Sequence, residues 1–337
     1  MTVPLEPTAA VSPRVKKSLI GTAGVTASVA LVVALGPRVG VDDRWNEPTL
    51  PVDIDSYLLG REGRVANIRP GDAKSVVWLE PDAPSVTPLA LVYLHGFSAD
   101  RHEVEPLVTA LARDLGANAY FTRLAGHGRD GSAMGEATVE AWLDDAAEAV
   151  TIGGFIGERV VLIGTSTGGT LALWAASREE ARERIAALVL VSPNLGLQDP
   201  AAGFLVWPWG GAIARMVVGP ERCFEPANPE HARHWTTCYP VEALLPMAAL
   251  VQHVRSLERG AVSAPALVVY SPNDQLVDPS RTEPVMTRIS REPAQMYVVQ
   301  GSGDPEQHVV AGAILSPQTT GDVRQRIRTF LAPLNGN

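Results

Sequence analysis

The sequence predicts an α/β domain built on a mostly parallel sheet with helices on both faces. Three observations carry that expectation. Apolar strand-like runs alternate with helical patterns from Ser75 onward, an inner run is apolar almost without interruption, and Gly164-Thr165-Ser166-Thr167-Gly168 stands at a strand-to-helix junction. Parallel strands need a crossover between them, usually a helix. A strand covered on both faces loses the alternating polar side of a half-exposed one.

Ser75 to Leu79 and Leu89 to Leu94 read as strands, and the second has no polar side chain except the Tyr93 hydroxyl. A helix is expected from Glu103 to Leu115, where Leu107, Leu111 and Leu115 recur at every fourth position and so share one face. A strand at Ala119 to Thr122, a helix from Val139 to Val150, a strand at Arg159 to Ile163, a helix from Thr170 to about Arg184 and a strand at Ala186 to Val191 follow. The rhythm then breaks. From Pro193 to about Val262, Trp207, Trp209 and Trp235 sit among repeated prolines between short helical patches, and alternation resumes at Ala266 to Tyr270 and Met296 to Val299. Residues 193–262 therefore read as a cap or lid inserted above the sheet of a domain spanning 46–337.

With 337 residues and 46% hydrophobic content, the chain can bury a large core. A formal charge of −9, with no run of Lys or Arg beyond the N-terminus, argues against nucleic acid as a partner. Residues 1–45 form a separate segment. Ser18 to Leu35 carries no charge and follows Arg14, Lys16 and Lys17. As a helix these residues would span ~27 Å, just short of a ~30 Å hydrocarbon layer. The segment reads as a signal peptide's apolar region or, preferred here, a retained anchor that leaves the rest of the chain across the membrane. Cys223 and Cys238 are the only cysteines, and either a disulfide or two buried thiols fits them.

The glycine-flanked Ser166 is placed for nucleophilic chemistry. A tight turn between strand and helix pushes its hydroxyl into the open and aims the helix's first N–H groups at the same point. A serine hydroxyl needs a base, normally a histidine oriented by a carboxylate. His95, His102 and His127 precede Ser166, whereas in strand-turn-helix sites of this kind the acid and then the base follow the nucleophile. Of the rest, His231 and His234 fall in the insertion and His253 on a helical pattern, while His308 follows a Gly-rich loop beyond the last strand. Loops past the carboxyl ends of parallel strands are where such sites assemble, so His308 is the expected base. Asp274 is the first acid after the Ala266 to Tyr270 strand and is the expected orienting carboxylate; Asp278, before Pro279, reads better as a helix N-cap. The backbone N–H groups of Thr167 and Phe97 are the expected oxyanion donors, Phe97 lying in His95-Gly96-Phe97 after the apolar strand.

Together these pieces resemble the α/β-hydrolase superfamily, in particular bacterial carboxylesterases and monoacylglycerol-lipase-like serine hydrolases. The resemblance covers about Leu89 to Ala332. It rests on Leu94-His95-Gly96-Phe97, Arg123-Leu124-Ala125-Gly126-His127-Gly128, Ala137 to Asp145, Gly164 to Gly169, Asp274 to Pro279 and His308-Val309-Val310. It implies an eight-stranded mainly parallel sheet, a small cap after the sixth strand, and hydrolysis of small-molecule acyl esters through Ser166, Asp274 and His308 by way of a covalent acyl-enzyme. No metal or organic cofactor is called for, and His127 is structural. Phe97, Trp207 and Trp209 offer apolar and aromatic surface suited to an acyl chain or aromatic ester. His231 and His234 are not read as metal ligands, since no third ligand is near them in sequence. Acyl transfer by the same triad, or a non-catalytic membrane-anchored binding module, are the competing readings; oligomeric state is left open.

Overall fold

The computed structural model describes residues 35–334, so the apolar segment 18–35 lies outside the described residues except for Leu35. Among the described residues no helix is long and apolar enough to cross a membrane. The expectation of a membrane-anchoring helix thus finds no support in the described chain.

Nine strands are described: β1 (Ser75–Val77), β2 (Thr87–Leu94), β3 (Asn118–Phe121), β4 (Gly157–Thr165), β5 (Ile185–Val191), β6 (Glu221–Cys223), β7 (Cys238–Pro240), β8 (Ala266–Tyr270) and β9 (Gln295–Val298). Ten α-helices accompany them: α1 (Ile54–Glu62), α2 (Glu105–Leu115), α3 (Gly131–Met134), α4 (Val139–Ile156), α5 (Thr167–Ser177), α6 (Gly210–Val218), α7 (Pro229–His234), α8 (Leu244–Arg255), α9 (Thr282–Ile289) and α10 (Pro317–Leu331). Seven strands form one sheet in the order β1-β3-β2-β4-β5-β8-β9. All neighbours are parallel except the β1/β3 pair.

The sheet has seven strands among the described residues, not the expected eight. Ahead of β1 stands Arg69-Pro70-Gly71-Asp72, which closes a turn by an Asp72 N–H to Arg69 O bond of 3.1 Å and cannot extend a ladder. β1 is also shorter than expected. Past Val77 the Leu79 N–H turns to the Asn118 side chain at 2.9 Å, and the Trp78 indole N–H to Asp55 at 2.9 Å.

The period-two geometry of a strand explains both helical layers. Leu89, Leu91 and Tyr93 of β2 point to one face, where they pack with Leu107, Val108 and Leu111 of α2 and Val323, Ile327 and Leu331 of α10. Ala90, Val92 and Leu94 point to the other and join Trp142 of α4, Leu171 and Trp174 of α5, Leu250 and Val254 of α8 and Met286 of α9. The fourfold leucine spacing expected for α2 is thus its buried stripe. α5 is shorter than expected: Arg178 is extended (ψ 135°), and turns rather than helix lead into β5.

Residues 193–262 contain α6, the antiparallel β6/β7 hairpin, α7 and α8. Cys223 and Cys238 face each other in the hairpin and are joined by a disulfide. α8 packs closely on the sheet: its Leu244, Met247, Leu250 and Val254 are buried in the same cluster as the strands, as are Ala214 of α6 and Tyr239 of β7.

Candidate active site

The parallel strands all end at one edge, and Ser166, Asp274 and His308 stand in the turn and loops that leave β4, β8 and β9. Ser166 follows β4 directly and adopts φ 51°, ψ −115°, a left-handed backbone that non-glycine residues rarely hold. The turn is tight because its glycines have no room for a side chain. A Cβ on Gly164 would stand 2.4 Å from the Gly168 carbonyl oxygen, and one on Gly168 2.0 Å from that of Leu94. The start of α5 therefore lies hard against the end of β2. A Cβ on Gly96 would lie 3.5 Å from the Ser166 Cβ, so the His95-Gly96-Phe97 loop borders the serine. Phe97 and Thr167, the expected oxyanion donors, sit on these two abutting segments.

The acid and the imidazole come from later strand ends. Asp274 Oδ1 accepts the N–H groups of Leu276 and Val277 at 2.8 and 2.9 Å. Its other oxygen is left to His308, whose Nδ1 lies 2.7 Å from Oδ2. Donation from Nδ1 leaves the lone pair on Nε2. The loop carrying His308 is itself fixed, since Asp304 Oδ2 accepts the N–H groups of His308 and Val309 at 3.0 and 2.8 Å. β5 couples this loop to the serine turn. Ser166 N–H donates to Val191 O at 2.9 Å, Asn194 N–H to Ser166 O at 3.0 Å, and between them the Ser192 hydroxyl donates to His308 O at 2.6 Å.

Burial and charge compete at His308. Its buried ring is pulled toward the neutral form, but the adjacent Asp274 outweighs this and holds its pKa above the ordinary 6.5. Ser166 and His308 keep only 7% and 6% of their surface exposed. The remaining histidines on this edge serve the backbone. His95 Nε2 accepts the Leu124 N–H at 3.0 Å, and His127 Nδ1 lies 3.1 Å from Ala125 O. Burial holds both neutral, with pKa values lowered to about 4 and about 3. Asp278 caps the turn at Pro279–Arg281 by accepting the Ser280 N–H at 3.1 Å.

The aromatic residues divide. The Phe97 ring meets Trp142 and Tyr239 edge-on, at centroid separations of 6.2 and 5.2 Å, and so joins the β2 loop to β7. Trp207 and Trp209 lie on the surface of the 193–262 segment, 56% and 41% exposed, Trp207 edge-on to Phe204 at 4.9 Å.

One residue of this edge escapes a reading of the sequence. Glu103 is buried beneath the serine; its Oε2 accepts the Tyr93 hydroxyl at 2.7 Å and the Gly96 N–H at 2.9 Å. Burial raises its pKa to about 7 against the opposing pull of those hydrogen bonds. In sequence it is one of two acids opening a helical pattern, which is the usual dress of a helix N-terminus. Among the described residues one group, Asp72, Asp100, His102 and His234, has the donor atoms to hold a metal.

A seven-stranded mostly parallel sheet, with a serine on a strained turn after the central strand β4, defines a serine hydrolase of the α/β-hydrolase fold. The chain belongs to the family described as serine aminopeptidase, S33, whose pattern matches residues 87–303. A thermostable monoacylglycerol lipase from Bacillus sp. (strain H-257) is 26% identical over 229 residues, 66% of this chain and 85% of that one. Among solved structures, one from a study of the metagenome-derived lipolytic enzymes LipS and LipT superposes with a TM-score of 0.62 at 20% identity, covering 79% of this chain and all of that one. The monoacylglycerol lipase of Paleococcus ferrophilus gives 0.56 at 15% identity over 77% and 98% of the two chains. The protein is thus an enzyme of this serine hydrolase family.

Proposed function

We propose that this protein hydrolyses carboxylic esters with apolar or lipid-like acyl groups through a covalent acyl-enzyme on Ser166. The observation that carries the reading is the His308 to Asp274 contact of 2.7 Å at the same sheet edge as the strained Ser166 turn. In this mechanism His308 Nε2 takes the Ser166 proton as the oxygen attacks the ester carbonyl, and Asp274 steadies the imidazolium. The Phe97 and Thr167 N–H groups hold the oxyanion, each worth roughly 10²- to 10³-fold in rate. His308 then gives the proton to the departing alcohol. Water, deprotonated by the same imidazole, releases the acid and restores the hydroxyl.

The lipase names of the relatives and the exposed Phe204, Trp207 and Trp209 favour an apolar acyl group. In this reading residues 193–262 act as a lid over the nearly closed serine. A panel of p-nitrophenyl esters of increasing chain length, run beside amino-acid p-nitroanilides, tests the class. Turnover rising from short to medium acyl chains is expected. Preference for the anilides would replace the ester reading with a peptidase one.

We further propose that the catalytic domain acts outside the cytoplasm, tethered or exported by the 18–35 segment. The Cys223–Cys238 disulfide supports this, because such bonds persist in oxidising compartments. Recovery of the native protein only in the cytosolic fraction, with both thiols free, would reverse it.

A further inference from the structure

Four side chains with metal-binding donor atoms meet beside the loop that follows β2, none of them in the Ser166, Asp274 and His308 set. Asp72 precedes β1, Asp100 and His102 follow β2, and His234 ends α7 in the 193–262 segment, 134 residues beyond Asp100. One donor atom from each lies within 4.8 Å of the other three. His102 Nδ1 is 3.0 Å from Asp100 Oδ1 and 3.5 Å from Asp72 Oδ1, and His234 Nδ1 is 3.0 Å from Asp100 Oδ2. A tetrahedral zinc with bonds of about 2.0–2.2 Å sets neighbouring donors roughly 3.3–3.6 Å apart, so these donors, all within 4.8 Å of one another, would draw in and the two stacked rings would turn on binding. Asp72, Asp100 and His234 are buried, while the His102 side chain keeps 30% exposure and leaves a way in.

The surroundings supply a second, separate indication. Both imidazoles turn Nδ1 inward and Nε2 outward toward a carboxylate: His102 Nε2 lies 3.7 Å from Glu105 Oε2, and His234 Nε2 3.6 Å from Glu230 Oε2. A histidine that ligates a metal characteristically passes its other N–H to such an acceptor; both carboxylates stand just beyond hydrogen-bond reach and would close in when the rings turn toward an ion. The far oxygen of Asp72 is likewise held, 2.8 Å from Arg69 Nε. Arg69 also stands 3.5 Å from Asp100 Oδ2, and Arg101 pairs with Glu105 at 2.7 Å. Two nitrogens with two carboxylate oxygens suit zinc better than magnesium or calcium, which take oxygen sets.

We propose that Asp72, Asp100, His102 and His234 form a structural zinc site that pins the 193–262 segment to the loop carrying Phe97. A backbone bond runs beside it, Thr236 N–H to Ser98 O at 2.8 Å, so the ion would lock a contact already made. An ion held by the native state alone stabilises it by mass action, because the unfolded chain scatters the three segments that carry its four ligands.

The test uses the full chain, stripped with chelator and titrated with zinc sulfate by calorimetry. One equivalent per chain is expected, with a Tm that rises with free zinc. The cobalt(II)-loaded parent protein should show the intense visible absorption of four-coordinate cobalt, a readout that needs no variant to fold. His102→Gln and His234→Gln should each weaken zinc at least about tenfold, whereas His231→Gln, three residues away and bonded through Nδ1 to the Ala227 N–H, should bind as the parent does. Absence of a stoichiometric site, the weak spectrum of six-coordinate cobalt, or undiminished binding in the His102→Gln/His234→Gln double variant would overturn the proposal.

Discussion

His308 Nδ1 lies 2.7 Å from Asp274 Oδ2 although 34 residues separate the two along the chain. Neither side chain is free to choose another partner. Asp274 spends its other oxygen on the N–H groups of Leu276 and Val277, and the His308 backbone is held by Asp304 and Ser192. The pair is thus aligned before any substrate arrives, as a base with a fixed tautomer must be.

The first prediction concerns pH. As the proposed base His308 would work only when neutral, so kcat/KM should rise with pH through its pKa, at a midpoint above the ordinary histidine value of 6.5. Asp274→Asn removes the charge that raises that pKa and leaves the burial that lowers it. The acid limb should therefore move to lower pH, with a plateau about 10³- to 10⁴-fold down. An unmoved limb in the pH profile of the variant would show that Asp274 does not face the working base.

Glu103 carries the second. Glu103→Ala strands the buried Gly96 N–H and leaves the Tyr93 hydroxyl only Thr165 Oγ1 at 3.1 Å, which should cost about 1–3 kcal/mol in urea unfolding. It also frees the loop bearing Phe97, so kcat should fall more than KM rises. Glu103→Gln keeps an acceptor carbonyl and should recover most of both. Equal losses in the two variants would mean that the charge, not the hydrogen bonds, matters here.

Lys74 gives the third. Its buried ammonium lies 2.6 Å from Asp145 Oδ1 and also contacts Glu148, so Lys74→Met leaves two buried carboxylates facing each other. Loss of about 3–5 kcal/mol of stability is expected at neutral pH. Glu148 has its pKa lowered in the native state: burial opposes this, and Lys74, Tyr57 and Arg61 together offset it. A denaturation series that found less than about 1 kcal/mol would show that water or rearrangement relieves the pair.

The strands and the Ser166 turn were legible because local pattern decides them. β2 must be apolar on both faces to lie between two helical layers, and Gly164 and Gly168 are needed where backbones touch. Asp274 and His308 could be read from their place after β8 and β9, since chain order and strand ends restrict the choice. Glu103, Lys74 and His234 could not. Each acts through partners distant in sequence, and locally each looks like an ordinary charged or polar helix or loop residue. Spacing along the chain hid His234 in particular, because its neighbours in space are Asp100 and His102, not His231. That the sheet has seven strands among the described residues, not eight, shows the converse limit: a turn occupies Arg69 to Asp72 ahead of β1.

Covalent labelling with a fluorophosphonate, followed by mass spectrometry of the digested protein, tests the central claim most directly. One adduct per chain on the peptide bearing Ser166 is predicted, lost in both Ser166→Ala and His308→Ala together with ester turnover. An adduct on another serine, or ester turnover undiminished in Ser166→Ala, would contradict the assignment of the nucleophile.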